Sequence, residues 1–203
     1  MLQRTPPELV LASASAARRA LLEAAGLVFT TAPAAIDEAA IRDAARAAGA
    51  EAIEAALRLA ELKAERVGHR QPDALVIAAD QILVCDGIWY DKPADLAAAR
   101  AQLAALRGRP HHLATAVLCW GGGARLWHHI AAPRLTMRSF SPAFLDAYVT
   151  AEGERMLTSV GAYRLEGLGV HLFDRIEGEH SAILGLPLLP LLGFLRQHGV
   201  LLG

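Results

Sequence analysis

The sequence predicts an α/β protein with a mixed, twisted sheet and helices flanking it on both faces. Three observations carry this. A short apolar run at residues 9–12 passes through two serines directly into helix-forming sequence at 16–25. A second run, Leu75-Val76-Ile77-Ala78-Ala79, is wholly apolar and follows the turn sequence Gln71-Pro72-Asp73. Along the rest of the chain, apolar segments of strand length alternate with Ala-, Leu- and Glu-rich segments of helical length. That alternation is the pattern of a sheet covered by helices.

The run at 9–12 is long enough for a strand buried on both faces. Ser13 and Ser15 are both good helix N-caps, and Gly26 suits a helix end that needs positive φ. This helix start would present free backbone N–H groups beside Arg18 and Arg19, an arrangement that attracts anions, phosphate above all. An ordinary strand-to-helix junction with solvated arginines accounts for the same residues. Cations in a first turn oppose the helix dipole, so either a phosphate or a neighbouring carboxylate should compensate them. Residues 28–31 read as a second short strand, and Pro33 opens a loop carrying Asp37 and Glu38.

Residues 39–67 read as one helix, or two broken near Gly49. Ile53, Leu57, Ala60, Ala64 and Val67 form the apolar stripe of the second part. Lys63 lies beside that stripe, where a lysine ordinarily snorkels to water. The strand at 75–79 ends in Asp80-Gln81, and residues 82–85 continue extended to an Asp86-Gly87 turn. A carboxylate ending a buried strand is costly to desolvate unless it is paired, hydrogen-bonded or metal-bound. Ligands of open α/β sheets sit beyond the carboxyl ends of strands. The alternative for Asp80 is a strand-ending turn former.

After Asp91-Lys92-Pro93 comes a helix at 94–106, stopped by Gly108. Residues 112–120 form a second strong strand, and Gly121-Gly122-Gly123 turns it back through a more polar strand at 125–130. Residues 133–139 extend this meander, and Ser141-Pro142 caps a helix reaching about residue 150. The segment 158–169 is glycine-rich without helical period, as in a loop passing close to a ligand or another backbone. Residues 170–173 read as a strand, and Leu184-Gly185-Leu186-Pro187 as a turn into the terminal helix.

The 203 residues suffice for one large domain or two lobes, and 54% are hydrophobic, much of that alanine. The formal net charge of −1 gives no electrostatic reason to expect nucleic acid or an anionic membrane. Cys85 and Cys119 fit neither a metal pair nor a disulfide framework and read as buried thiols of a reducing compartment. There is no signal-peptide pattern, and Pro187, Pro190 and Gly193 interrupt the most apolar stretch, so a soluble cytoplasmic protein is expected. The phosphate-loop, dinucleotide, zinc-protease and serine-hydrolase motifs are all missing. His111-His112 and His128-His129 are adjacent pairs that point to opposite sides of a strand, so they read as structural or surface residues. What remains is a cationic set, Arg18, Lys63 and Lys92, and an acidic set, Glu38, Asp80 and Glu166. The first suits phosphates. The second suits a hard cation or a proton transfer, as in metal-assisted hydrolysis of a phosphoanhydride.

Several short motifs follow one another along the chain. They are Ser13-Ala14-Ser15-Ala16-Ala17-Arg18, Asp37-Glu38, Leu59-Ala60-Glu61-Leu62-Lys63-Ala64, and Ala78-Ala79-Asp80-Gln81. Then come Asp91-Lys92-Pro93, Arg107-Gly108-Arg109-Pro110-His111, Val160-Gly161-Ala162-Tyr163-Arg164-Leu165-Glu166-Gly167, and Gly185-Leu186-Pro187. In this series the chain resembles the Maf family of nucleoside triphosphate pyrophosphatases along nearly its whole length. Two departures stand out. Ala16-Ala17 replaces Pro-Arg, and Asp91 replaces a glycine beside Lys92.

The resemblance implies one Maf-like α/β domain over residues 1–203. It would have an elongated, two-lobed Maf/ITPase-like fold with a central cleft. It also implies hydrolysis of a modified or non-canonical nucleoside triphosphate to the monophosphate and pyrophosphate, with a divalent cation, Mg²⁺ or Mn²⁺. Asp80 would then be the base that activates water. Ser13, Arg18, Lys63, Gln81, Lys92 and Glu166 would hold the substrate, chiefly its phosphates. Glu38 and Asp80 would be metal ligands, while Glu38 and Glu166 could each serve metal or substrate. Asp80-Gln81 and Glu166-Gly167 are similar to the branch acting on 7-methyl-GTP. Ala162-Tyr163 follows the dTTP/UTP branch. A dTTP/UTP pyrophosphatase, or a non-catalytic nucleotide-binding regulator of septum formation, are the alternatives. The expected partner is the nucleotide, not nucleic acid or membrane, and a homodimer is compatible with this picture.

Overall fold

The computed structural model describes residues 2–4 and 6–203. In chain order its first elements are β1 (Leu9–Leu11), α1 (Ala16–Ala24), β2 (Thr30–Thr31), α2 (Glu38–Ala47), α3 (Ala52–Gly68) and β3 (Leu75–Cys85). There follow β4 (Ile88–Tyr90), α4 (Leu96–Leu106), β5 (Pro110–Gly121), β6 (Ala124–Ala131), β7 (Arg134–Met137) and α5 (Pro142–Glu152). The chain ends with β8 (Phe173–Glu177), α6 (His180–Ile183) and α7 (Leu188–Gln197). These elements form two compact units. One holds the chain up to Gln81 with Thr115–Ala131 and Glu179–Gly203, and the other holds Ile82–Ala114 with Ala132–Gly178.

In the first unit, β1 runs parallel to both β2 and β3, with Leu11 level with Ile77. β6 is antiparallel to β5, which neighbours β3. Strand alternation sorts the apolar side chains onto two faces. Leu9, Leu11, Leu75, Ile77, Ala79, Val117 and Cys119 pack with Leu22 of α1 and with Leu191 and Leu195 of α7. Val10, Val76, Ala78, Leu118 and Trp120 pack the other way, against Ala60, Ala64 and Val67 of α3. The sheet is therefore mixed and covered on both faces, as the alternation predicts. Fully burying a leucine such as Leu11 or Leu22 contributes about 1.5–3 kcal/mol.

The helices begin where short polar side chains can hold their free N–H groups. Ser15 caps α1 by accepting from the Arg18 N–H, and Asp37 caps α2 by accepting from the Ala40 N–H at 3.0 Å. Glu38 is thus the first residue of a helix and not part of the loop opened by Pro33. A reciprocal capping box between Glu51 and Glu54 starts α3, so the long helical stretch is two helices. β3 also departs from expectation. It does not end at Asp80 but runs on to Cys85 with that aspartate in its middle.

In the second unit, the end of β3 pairs antiparallel with β4, while the start of β5, β7 and β8 form an antiparallel set. The strand expected at 170–173 begins only at Phe173, and Leu168–Leu172 is a 3₁₀ turn. The reason lies in the partner strand: β7 ends at Met137, opposite Phe173, so earlier residues have no ladder to join. The glycine-rich segment before it is likewise wound into short 3₁₀ turns.

His111 is buried in this unit, 2% exposed, with Nε2 2.9 Å from the Tyr163 hydroxyl. The Phe173 ring lies beside both. Burial pushes the imidazole down to about 4. The unfolded chain, with its histidine near 6.5, therefore takes up a proton before the folded chain does. Stability contributed by neutral His111 should be full above about pH 6.5 and lost as the pH falls toward about 4, by roughly 3 kcal/mol. Thermal melts of the native protein and His111→Gln across that window check this. The variant should have a flatter profile, and parallel profiles would refute it.

Among the described residues, no helix is long and apolar enough to cross a membrane.

Candidate active site

Strand parity explains the centre of the site. Asp80 lies two residues beyond Ala78 and four beyond Val76, so its side chain faces α3. On α3, Lys63 lies one turn from Ala60 and from Val67, within the inward stripe. The two therefore meet. Lys63 Nζ donates to Asp80 Oδ1 at 2.5 Å and lies 2.8 Å from Glu38 Oε1. Lys63 is 6% exposed and Asp80 4%. The lysine does not snorkel, because its ammonium has two carboxylates to meet inside. Asp80 Oδ2 is also buried, with no hydrogen-bond partner among the described residues. A buried carboxylate oxygen without a donor is costly, and such exceptions concentrate at functional sites.

Arg18 is the second cation here. Its Nε donates to the Gly185 carbonyl at 2.9 Å, and its Nη1 donates to the Ala79 carbonyl at 2.8 Å and to Ser13 Oγ at 3.2 Å. All three acceptors are neutral. Burial pulls the guanidinium below its ordinary value, and the negative Asp80 and Glu38 pull it back up. Gly185 has φ +92°, and a Cβ there would stand 3.1 Å from Arg18 Nε, so the turn must be glycine for the arginine to lie against it. The guanidinium is thus aimed by neutral groups, and its charge is balanced only from a distance.

Gln81, next along β3, points to the opposite face. Its Nε2 donates to Thr115 Oγ1 at 2.8 Å, to the Ala182 carbonyl at 3.0 Å and to the Ile183 carbonyl at 3.3 Å. This fastens the end of α6, and Gly185 with it, to β5. The amide hydrogens are spent on protein acceptors, which suits a group that positions the Arg18 cradle. Arg19 stays outside the cluster in an exposed pair with Glu23 at 3.6 Å.

Ser13, Arg18, Glu38, Lys63, Asp80 and Gln81 therefore belong to the first unit, whereas Lys92 and Glu166 belong to the second. Lys92 is exposed, just after β4 and ahead of buried Pro93. Glu166 is exposed, and its Oε1 accepts from Arg164 Nε at 3.2 Å. One acidic residue went unread in the sequence: Glu152, the last residue of α5, is 4% exposed. A carboxylate in a last turn opposes the helix dipole, which was the available signal.

Among the described residues, no three His, Cys, Asp or Glu side chains converge as a metal cage. Glu38 and Asp80, joined through one ammonium, are the carboxylates at hand, and Asp80 Oδ2 is an unpartnered hard donor. That set fits Mg²⁺-like cations, which take one or two carboxylates and complete their shell with water and phosphate oxygens.

A family model described as Maf-like protein matches residues 8–198. The chain belongs to the Maf family. Among its relatives, a nucleoside triphosphate pyrophosphatase of Granulibacter bethesdensis is 58% identical, covering 96% of this chain and 98% of the relative. A protein of the same name from Paramagnetospirillum magneticum is 54% identical, over 95% of this chain and 99% of the relative. A 7-methyl-GTP pyrophosphatase of Rhizobium meliloti is 46% identical, over 96% and 98%.

Proposed function

We propose that this Maf chain hydrolyses a nucleoside triphosphate to the monophosphate and pyrophosphate, with 7-methyl-GTP as the preferred class of substrate. The observation that carries the reading is the unpartnered, buried Oδ2 of Asp80, whose other oxygen pairs with Lys63 while the Arg18 charge acts from further off. Water oxygen attacks the α-phosphorus, the bond to the bridging oxygen breaks, and pyrophosphate leaves. Asp80 takes the proton from that water. Lys63 holds Asp80 and Glu38 in place, while Arg18, with Ser13 beside it, offers N–H donors to phosphate oxygens. A divalent cation held by Glu38 and Asp80 would supply further neutralisation of the phosphate charge. Gln81 serves the site by holding the turn on which Arg18 rests. The two free buried thiols support a reducing, cytoplasmic setting.

The test is a nucleotide panel scored for pyrophosphate release with Mg²⁺, with Mn²⁺ and with chelator. Chelator should stop turnover and leave the thermal melt unchanged. Turnover in metal-free buffer would refute the metal-assisted reading, and no pyrophosphate from any nucleotide would refute the activity.

Base choice rests on Glu166. A carboxylate only accepts hydrogen bonds, which suits the N1–H and amine donors of guanine and the positive charge of an N7-methylated purine. Hydrogen bonds to charged groups contribute about 1.5–3 kcal/mol, roughly ten- to a hundredfold in specificity. Glu166→Gln should shift kcat/KM by that factor from 7-methyl-GTP toward UTP or dTTP. An equal fall for all substrates would instead make Glu166 a metal group.

A further inference from the structure

Glu152 has no part in the reaction above, yet it is a buried carboxylate at the foot of the segment bearing Glu166. Its Oε1 accepts from the Leu168 N–H at 3.1 Å, and a Cβ on Gly167 would stand 3.2 Å from that same oxygen. A side chain at 167 would therefore crowd that oxygen and push it back by a few tenths of an ångström. Its Oε2 has no hydrogen-bond partner among the described residues, but Arg155 Nε lies at 3.6 Å and Arg164 Nη1 at 3.8 Å. Arg164 uses its other edge on Glu166, donating from Nε to Oε1. One guanidinium is thus shared between a buried acid and an exposed one.

We propose that Glu152 is a positioning residue for base selection: it shapes residues 164–168 and competes with Glu166 for Arg164, setting how much negative charge Glu166 presents. This rests on the reading that Glu166 meets the base. With Glu152 charged, Arg164 divides its attraction and Glu166 keeps charge for a cationic purine. Without that charge, Arg164 turns wholly to Glu166 and neutralises it.

The test compares kcat/KM for 7-methyl-GTP and UTP in the native protein, Glu152→Gln, Arg164→Gln, Glu166→Gln and the Glu152→Gln/Glu166→Gln double variant. Glutamine at 152 keeps an acceptor for the Leu168 N–H, so the melt should hold. The ratio should fall roughly threefold or more in Glu152→Gln, through KM and not kcat, within the coupling expected of residues that share a partner. Arg164→Gln should move the ratio the opposite way, which keeps the proposal testable if a Glu152 variant folds poorly. In the Glu166→Gln background, Glu152→Gln should change the ratio no further. A ratio moved by Glu166→Gln but by neither Glu152→Gln nor Arg164→Gln overturns this inference and leaves the base reading standing. A ratio unmoved by Glu166→Gln overturns both.

Discussion

Asp80→Asn is expected to keep the fold and lose nearly all turnover. Asparagine has the shape of aspartate but cannot take a proton from water, and loss of a general base costs roughly a hundredfold or more. The fold should survive because Lys63 does not lose its last partner, since Glu38 Oε1 is 2.8 Å from its ammonium. Melts and steady-state kinetics on one preparation make the comparison. Native kcat in a well-folded Asp80→Asn protein would remove Asp80 from the mechanism.

Lys63→Met should do more harm to stability. Methionine fills similar space but leaves Asp80 buried as a carboxylate without its cation, with Glu38 facing it. Breaking one side of a buried pair costs about 3–5 kcal/mol. In a chain of this size that lowers Tm on the order of 10 °C. Turnover should fall as well, because the positioned charge beside the base is gone. Asp80→Asn placed on top of Lys63→Met should recover much of the lost Tm, since no orphaned charge then remains. A double variant whose loss of Tm equals the sum of the two single losses would show that the pair is not coupled.

The local parts of this molecule were legible in its sequence. The run at Leu9–Leu11, the serine cap of α1, the apolar core of β3 and the two buried thiols all follow from patterns within a few residues. The order of motifs also brought the candidate residues into view. The meeting of Lys63 with Asp80 was not legible, because it depends on which face of α3 packs on which face of β3. Hydropathy alone read Lys63 as an edge residue and Asp80 as a strand end. Their mutual neutralisation is what lets the strand pass straight through an acidic residue. Glu152 was missed for the same reason: its Leu168 and Arg164 contacts come from a segment with no regular period.

The split between Asp80 and Gln81 has a consequence for chain length. Neighbours on one strand serve two different jobs, one toward α3 and one toward the α6 turn. Inserting or deleting a single residue between Leu75 and Asp80 would exchange them, sending the amide toward Lys63 and the carboxylate toward backbone carbonyls that repel it. Substitutions there can be absorbed one at a time, whereas a frame slip by one residue disables both jobs together. The stretch between α2 and α3, exposed at Gly49, has no such parity to keep and is where this part of the chain can grow or shrink.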